Sequence, residues 1–378
     1  MKSEKIKVLQ FPIRNTNGGV TRTAIKLWKH IDHDKFQFDF ATCSRKLDFE
    51  QDILDAGCKV HYISCYAEED PVQFRKEFRK ILEIGYDVIH LNTSWWKSFE
   101  AERMAKEAGV KVILIHANNT FADVGNDGQR EKEMEIHEKC KKEFSQDMAT
   151  HFLACSKPAA DFLFGPQIPR DKITIFHYAL DLNKYTYDED KRERMRAELD
   201  ISDKFVIGDV GRMSYQKNLK FLLECFYEVQ KREEKAVLLL IGDGYLEPEL
   251  RNIVKEYGIE NKVIFTGAVD NVEDYMQAMD VFAFPTLFEG LGIVVIEAQA
   301  VGLKCICSSG VPQEAKLTEN IKYLELEKEK WVDEILAYSK GYKRVKTDDQ
   351  IRKAGYDITE EIKVLEKIYS ECRTQQDQ

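Results

Sequence analysis

The chain has 378 residues, of which 43% are hydrophobic and 32% charged, and this composition predicts a globular protein of two or three domains. Its formal net charge of −10 argues against nucleic acid as the main partner, because a phosphate backbone attracts basic surfaces. Residues 1–180 carry 27 basic and 27 acidic side chains, whereas the remainder carries 29 and 39. The N-terminal half is therefore better suited than the C-terminal half to approach an anionic surface.

Short apolar segments alternate with longer amphipathic segments along the chain. In the first half they predict strands at 6–11, 36–42, 59–64, 87–92, 110–117 and 150–156. The second half repeats the arrangement, with predicted strands at 205–211, 236–244, 262–268, 281–286 and 304–309. Strands that alternate with helices are typical of parallel sheets covered on both faces. The sequence therefore predicts an α/β protein with two doubly wound domains.

The boundary between the two series lies in a polar, charge-dense stretch. Residues 185–204 read YTYDEDKRERMRAELDISDK, which predicts a solvated linker and helix. We therefore expect an N-terminal domain over 1–184 and a second domain over 185–357. A second charged stretch, 121–149, interrupts the first series and is either a binding loop or lid, or a solvated helix.

Neither a membrane span nor a signal peptide is predicted. No apolar run approaches the roughly 18–20 residues that a spanning helix needs. The N-terminal sequence MKSEKIKVLQF enters a strand without the apolar core of a signal peptide. The nine cysteines include no C-x-x-C pair and are best explained as reduced thiols. We expect a cytoplasmic protein.

A pair of glycines follows the first predicted strand. In PIRNTNGGVTRTAIKLW (12–28), Gly18 and Gly19 open a helix at the carboxyl end of a strand, where open α/β sheets bind ligands. Glycines let a ligand approach the backbone, and a helix N-terminus favours an anion. The alternative is that the pair opens the helix for steric reasons alone.

The turn after the predicted strand at 205–211 carries two cations, Arg212 and Lys217, before a helix that begins near Asn218. Arg can bind two phosphate oxygens at once and Lys supplies a point charge, so the turn suits a diphosphate. Exposed cations beside a turn are the alternative. The next strand ends in the segment Gly242-Asp243-Gly244, which is either a tight turn with a helix cap or a surface under a nucleotide.

Two acids interrupt the apolar segment FPTLFEGLGIVVIEAQAVG (284–302). Glu289 falls in the turn after Pro285, where a run of backbone N–H groups can hold phosphate or sugar oxygens. Glu297 follows about two helical turns later, so both carboxylates can lie on one side of the helix. Their apolar neighbours disfavour a solvent-facing pair. Contact with the vicinal hydroxyls of a ribose or hexose is favoured instead.

All of these segments lie at strand-to-helix turns on the carboxyl edge of a predicted sheet. Most of them belong to the second domain. That domain is therefore predicted to bind a nucleotide diphosphate, with the first domain facing it across a cleft.

The chain resembles the retaining glycosyltransferases of family four, which have the GT-B fold and include bacterial capsule and exopolysaccharide sugar transferases. The segments that carry the resemblance are GRMSYQKN, LLIGDG, YALDLNKY and VIFTGAVDNVEDYMQAMDVFAFPTLFEGLGIVVIEAQAVG. Two Glu separated by seven residues are the family's signature. The resemblance implies two Rossmann-like doubly wound domains with an interdomain cleft. It also implies that the C-terminal segment, 358–378, crosses back to the N-terminal domain.

The resemblance assigns roles to the positions that match the family. Arg212 and Lys217 are expected to clamp the diphosphate of a nucleotide-sugar, while Glu289 contacts the donor sugar and Glu297 the ribose. His116 matches the family's histidine that faces the sugar, and it completes the expected catalytic set of Glu289, Arg212 and Lys217. The other expected contacts come from the glycine loop, the turn before the helix and a polar loop near the acceptor: Gly18, Gly19, Gly290, Leu291, Gly292, Ile293, Asn118 and Asn119.

The resemblance further implies retaining transfer of a hexose from a UDP-sugar, with no cofactor and no divalent metal. No Asp-x-Asp motif stands at a predicted strand end, so side-chain cations and backbone N–H groups are expected to stabilise the leaving diphosphate. No carboxylate is an evident nucleophile. The resemblance implies front-face retention, with the departing phosphate helping to deprotonate the acceptor. His177 and Ala179 depart from the Asn and Gly that often precede the family's linker.

The acceptor implied by the resemblance is a saccharide or a lipid-linked saccharide used in surface polysaccharide synthesis. The segment PVQFRKEFRKIL (71–82) has apolar residues on one side and basic residues beside them. It is either a contact with the inner face of an anionic membrane or a helix packed on its own sheet. Two other functions stay open: a GT-B epimerase or phosphorylase, and a nucleotide-sugar-binding protein without turnover.

Overall fold

A computed structural model describes residues 4–15, 19–122, 124 and 127–374. The chain divides into two compact units, Met1–Tyr178 with Ile358–Gln378, and Ala179–Asp357. The first unit ends at Tyr178 rather than at the predicted residue 184, because the chain already pairs within the second unit from Leu180 onward. The backbone N–H of Leu180 donates to the carbonyl of Tyr356 at 2.9 Å.

The first unit is built on a parallel sheet of seven strands. These strands are β1 (Ile6–Phe11), β2 (Phe36–Thr42), β3 (Val60–Tyr62), β4 (Val88–Thr93), β5 (Val112–Ala117), β6 (His151–Ala154) and β7 (Ile173–Ile175). Their order in the sheet is β3-β2-β1-β4-β5-β6-β7. The helices between them are α1 (Gly19–His30), α2 (Glu50–Asp55), α3 (Pro71–Leu82), α4 (Glu100–Glu107), α5 (Asp127–Glu143) and α6 (Lys157–Leu163). Every residue of β5 is buried, as expected of a central strand covered on both faces.

The second unit repeats this plan with a parallel sheet of six strands. They are β8 (Phe205–Val210), β9 (Ala236–Ile241), β10 (Val263–Phe265), β11 (Val281–Phe284), β12 (Lys304–Ser308) and β13 (Ile321–Leu324), in the order β10-β9-β8-β11-β12-β13. Its helices are α7 (Glu189–Glu198), α8 (Leu219–Arg232), α9 (Glu247–Glu256), α10 (Val272–Ala278), α11 (Ile293–Ala300), α12 (Lys328–Leu336) and α13 (Asp348–Lys353). The predicted α/β architecture of two doubly wound sheets is confirmed.

The last helix, α14 (Ile358–Thr374), belongs to the first unit, where it packs against β5 and α1. Its Tyr369 ring lies 6.0 Å from the ring of Phe36 and 6.1 Å from that of Phe38. The C-terminal helix therefore covers one face of the first sheet.

Two strands were missed by the sequence analysis, β7 and β13, and both lie at an edge of their sheet. β7 has three residues, none of them fully buried, and β13 has a single buried residue, Ile321. A short edge strand exposes part of its surface, so it lacks the continuous apolar run that marks a central parallel strand.

Helix α3 coincides with the segment considered for membrane contact. Its apolar residues Phe74, Phe78, Ile81 and Leu82 are buried, and the ring of Phe78 lies 5.4 Å from that of Phe11 on β1. Arg75 forms a bidentate pair with Glu100, at 2.6 and 3.0 Å. The apolar side of α3 is thus used for packing within its own unit, and an insertion of that side into lipid is excluded in this fold.

Candidate active site

Two turns of the second unit meet at one edge of its sheet. Strands β8 and β11 pair in parallel, so the turns that follow them lie at neighbouring carboxyl ends. The backbone N–H of Leu287 donates to the carbonyl of Gln216 at 2.8 Å, and the side-chain amide of Gln216 donates to the carbonyl of Phe288 at 2.8 Å. The turn that contains the predicted cations is therefore held in a fixed position against the turn that contains the first predicted acid.

Asn218 ends the first turn in the left-handed backbone conformation, with φ 52° and ψ 39°. Asn adopts this region more readily than most residues with a Cβ. Its side-chain amide donates to the carbonyl of Pro285 at 3.2 Å, and α8 begins at the next residue. The local sequence thus stops a short helical turn, Tyr215–Lys217, so that Lys217 faces the second turn.

Lys217 and Glu289 form a largely buried ion pair at this edge of the second sheet. Nζ of Lys217 lies 2.6 Å from Oε1 of Glu289, and their side chains are 12% and 10% exposed. Oγ1 of Thr286 lies 2.8 Å from the same carboxylate oxygen and can donate to it. The ammonium also lies 4.6 Å from the centroid of the Phe284 ring, which is a cation–π distance. The site therefore holds a cation whose main polar partner is a single carboxylate oxygen.

Asp209, which was not among the predicted site residues, lies near the end of β8 and interacts electrostatically with both members of this pair. It is 1% exposed, and its Oδ2 has no hydrogen-bond partner among the described residues. Burial raises the pKa of this carboxyl to about 8, while the charge of Lys217 lowers it and that of Glu289 raises it. The sequence does indicate a buried acid here, because Asp209 stands inside the otherwise apolar strand segment FVIGDVG.

Glycines allow the neighbouring backbones to approach this site closely. A Cβ at Gly211 would lie 2.9 Å from Cε of Lys217. Gly242 has φ +127°, and a Cβ there would lie 2.1 Å from the carbonyl oxygen of Gly211. The Gly242-Asp243-Gly244 segment therefore crosses a second chain segment closely, and the helix that follows is capped at Leu246 without a side-chain hydrogen bond.

Replacing Gly242 with Ala is expected to lower the free energy of unfolding by about 3 kcal/mol, because the new methyl adds a steric clash to an unfavourable backbone conformation. Gly258→Ala is the matched control. Gly258 also has a positive φ, +65°, but its Cβ would meet no atom of the described residues within 4 Å. Gly258→Ala should lower the free energy of unfolding by about 1 kcal/mol. Urea unfolding of both variants measures the difference, and equal losses would contradict the close crossing.

The two predicted acids are presented by different elements. Helix α11 begins at Ile293, after Gly292 in the left-handed conformation with φ 82°. Glu289 therefore lies in the turn before the helix and Glu297 on the helix, as the sequence predicted. Both are buried, at 8% and 7% exposure. Between them, Gly290 and Leu291 are buried.

Arg212 is half-buried in the same turn as Lys217. The structure thus brings the predicted phosphate ligands Arg212 and Lys217 to the sheet edge at which Glu289 and the start of α11 also lie. Their roles toward a diphosphate stay predictions.

In the first unit, His116 lies near the carboxyl end of β5 and is 1% exposed. Burial lowers its pKa to about 3, so its imidazole is neutral. Nε2 of His116 has no partner among the described residues, and neither does Oδ1 of the nearby Asn118. The side-chain amide of Asn118 donates to the carbonyl of His116 at 2.7 Å. Two buried polar atoms near the end of β5 are therefore available to a ligand.

Of the predicted glycine loop, Gly18 lies outside the described residues, and Gly19 is the exposed first residue of α1. A Cβ at Gly19 would meet no atom of the described part of the chain within 4 Å. Packing against those residues therefore does not require a glycine here, and the two interpretations of the glycine pair stay predictions.

The described residues contain neither a metal-ligand cluster nor a helix suited to span a membrane. No group of three or more His, Cys, Asp or Glu residues within them is arranged to hold a metal ion. None of their helices is long and apolar enough to cross a membrane. None of the nine cysteines, all of which lie within the described residues, forms a disulfide.

The sequence is similar to those of known glycosyltransferases. Residues 204–338 match the family model described as Glycosyl transferases group 1. The chain is 28% identical to a putative glycosyltransferase EpsF of Bacillus subtilis, over 98% of this chain and 98% of that protein. It is 22% identical to the Escherichia coli UDP-Gal:alpha-D-GlcNAc-diphosphoundecaprenol alpha-1,3-galactosyltransferase, over 82% and 81% of the two chains.

The fold is shared with solved structures. The structure of Anabaena HepE in complex with UDP superimposes with a TM-score of 0.74 at 17% identity, and covers 97% of this chain and 100% of that one. Sequence family, full-length relatives and fold agree. Residues 204–338 therefore form a domain of the Glycosyl transferases group 1 family, and the chain has the GT-B fold of the glycosyltransferases that it resembles.

Proposed function

We propose that this enzyme transfers a hexose from a UDP-sugar to a saccharide or lipid-linked saccharide, with retention at the anomeric carbon, in surface polysaccharide synthesis. The observation that carries the proposal is the Lys217–Glu289 pair at the carboxyl edge of the second sheet. A cation, a carboxylate and the backbone N–H groups of the following turn match the three parts of a sugar diphosphate: phosphate charge, sugar hydroxyls and bridging oxygens.

In this proposal Lys217 and Arg212 bind the diphosphate and stabilise the charge that grows on it as the sugar departs. Lys217 exchanges one carboxylate oxygen for phosphate oxygens, and Glu289 then accepts hydrogen bonds from the sugar hydroxyls. Glu297, one helical segment farther on, accepts hydrogen bonds from the ribose. The two cations supply the charge that a divalent metal supplies in other transferases, so no metal is required.

Retention without a covalent intermediate is supported by the positions of the nearby acids. A double displacement requires a carboxylate nucleophile that reaches the anomeric carbon. Asp209 is only 1% exposed, and in this proposal Glu289 is engaged by the sugar hydroxyls and by Thr286. The departing phosphate is therefore the group proposed to take the proton of the acceptor hydroxyl, on the same face as the bond that breaks.

The donor and acceptor classes are proposed from the relatives. The E. coli relative is named for UDP-Gal and a diphosphoundecaprenol-linked sugar, and HepE was solved with UDP. A GT-B epimerase or phosphorylase and a binding protein without turnover are not favoured, because the named relatives are transferases.

The first unit offers a cavity of about 120 Å³ for the acceptor. It lies at the carboxyl ends of β1 and β4, and its lining includes Arg14, Tyr66, Trp95 and Lys97. The guanidinium of Arg14 lies 5.7 Å from the ring centroid of Tyr66, and the ammonium of Lys97 lies 5.6 Å from that of Trp95. Aromatic faces suit sugar rings, so this cavity fits a saccharide. Because the apolar side of α3 is buried, any contact of α3 with a membrane would be electrostatic.

A donor screen in EDTA tests the proposal. Purified protein is mixed with UDP-, GDP- and ADP-sugars, and thermal midpoint and slow sugar release are measured. A UDP-sugar is expected to raise the midpoint and to be hydrolysed with EDTA present. No response to any nucleotide would contradict the transferase activity, and activity that disappears in EDTA would contradict metal independence alone.

A further inference from the structure

A buried row of polar side chains leads from helix α14 to His116. Gln10 on β1 is in register with His90 on β4, and Asn92 on β4 is in register with His116 on β5. Paired residues of neighbouring strands, and residues two apart on one strand, point to the same face of a sheet. Tyr369 of α14 contacts Gln10 and His90 on this face through its hydroxyl. All five side chains are buried.

The distances make this row a continuous hydrogen-bonded chain. Oη of Tyr369 lies 2.6 Å from Nδ1 of His90, and Nε2 of His90 lies 3.1 Å from Nδ1 of His116. Nε2 of Gln10 lies 3.2 Å from Nδ1 of His90 and 3.3 Å from Oη of Tyr369. The amide of Asn92 donates to Oε1 of Gln10 at 3.0 Å.

The chemistry of these groups fixes the direction of every proton in the chain. Because Oε1 of Gln10 accepts from Asn92, its Nε2 is the donor end of the amide. Nδ1 of His90 faces that donor and the hydroxyl of Tyr369, so it must be the acceptor nitrogen of a neutral ring. Nε2 of His90 then carries the proton and donates to Nδ1 of His116. Nδ1 of His116 is thereby an acceptor, and the proton of the neutral His116 ring lies on Nε2.

We propose that Tyr369, Gln10 and His90 are positioning residues that hold His116 as its Nε2–H tautomer, so that His116 is a hydrogen-bond donor to an oxygen of the bound sugar and not a base. This inference rests on the proposed function for the identity of the ligand. Nε2 of His116 is also the atom that has no partner among the described residues, so the proton is directed to a position where a ligand oxygen is needed.

Burial supports the neutral state on which the proton directions depend. Desolvation holds the pKa of His90 well below its usual value, and the neighbouring His116 lowers it further. Desolvation likewise lowers the pKa of His116 to about 3. Two cationic rings at this separation would repel each other in a medium of low polarity.

Nitrogen NMR of the full-length protein labelled with ¹⁵N-histidine tests the tautomers without any need for turnover. His90 and His116 are both expected to show a protonated Nε2 and an unprotonated Nδ1 at neutral pH. Assignments come from the loss of one signal pair in His90→Gln and in His116→Asn. A His116 that is cationic, or protonated on Nδ1, would overturn the inference. An absence of turnover with every donor would count against the proposed function and leave this result intact.

Two substitutions at His90 distinguish the effect of losing its hydrogen-bond donor from the effect of changing its packing. In His90→Gln the amide can donate to Nδ1 of His116 and accept from Tyr369, so the Nε2–H signal of His116 and kcat/KM within about threefold of wild type are expected. In His90→Leu the donor is lost, so His116 is expected to show a mixture of tautomers and about a tenfold lower kcat/KM.

A third substitution controls for the loss of an imidazole elsewhere in the unit. His61 also bonds a tyrosine, with Nε2 2.8 Å from Oη of Tyr86, but is outside the row. His61→Leu should leave the His116 tautomer and kcat/KM unchanged. If His90→Leu retained both the tautomer and the rate, the inference would be wrong. If His90→Leu failed to fold, the wild-type and His90→Gln spectra would still decide.

Discussion

Replacing Lys217 with Ala is expected to lower kcat by about 10²-fold or more, which corresponds to the ~2.7 to 4 kcal/mol lost with one preorganised group that stabilises developing charge. The ammonium lies 2.6 Å from Glu289 at 12% exposure, where the surroundings screen its charge less than water does. Steady-state rates with the donor found in the screen measure the loss. Lys217→Met should lose nearly as much, because it keeps the aliphatic length of the side chain and removes the charge.

Lys220 provides the matched control, three residues later on α8. Its side chain is 48% exposed, and its ammonium also lies 2.6 Å from a carboxylate, that of Glu249. Lys220→Ala removes an ion pair of the same length outside the site, so kcat should stay near the wild-type value. Near-normal turnover in Lys217→Met would show that Lys217 acts through packing, and the assignment of the leaving-group cation would then be wrong.

The sequence was sufficient to predict the central part of the fold. The strands VILIHA and AVLLLI are buried on both sides, and this burial is visible in the sequence as a continuous apolar run. The edge strands β7 and β13 lack such a run, because part of each faces solvent. The order of strands within each sheet was also not predictable from local sequence, since it depends on which segments pair over long distances.

The same limit applies to the site. Lys217 and Glu289 were both expected at strand ends, but their ion pair was not, because it depends on β8 lying next to β11. The positions of Glu289 in the turn and of Glu297 on the following helix were predicted, and α11 does begin after Glu289, at Ile293.

Replacing Asp209 with Asn is expected to stabilise the protein increasingly as pH rises. The folded-state pKa of this carboxyl is about 8, above the unfolded value near 3.8, because burial penalises the charged form. The penalty is therefore absent below pH ~4, grows as the pH approaches 8, and is complete above it. Between pH 6 and pH 9 the free energy of unfolding of the variant should gain roughly 3 kcal/mol relative to wild type.

Urea unfolding at pH 6 and pH 9 measures this difference, and the constant effect of exchanging an oxygen for an amide cancels between the two pH values. Asp55→Asn, at an exposed position on α2, is the control and should differ equally from wild type at both pH values. A pH-independent difference for Asp209→Asn would mean that Asp209 is ionised throughout.

The same titration should appear in catalysis, because Asp209 interacts with both Lys217 and Glu289. While Asp209 is neutral, the charge of Lys217 is shared only with Glu289 and an incoming diphosphate. Above pH 8 the ionised Asp209 competes for Lys217 and repels the diphosphate, so wild-type kcat/KM should fall. Asp209→Asn cannot ionise and should lack this decline. An identical alkaline decline in both proteins would assign it to another group and leave Asp209 a structural acid only.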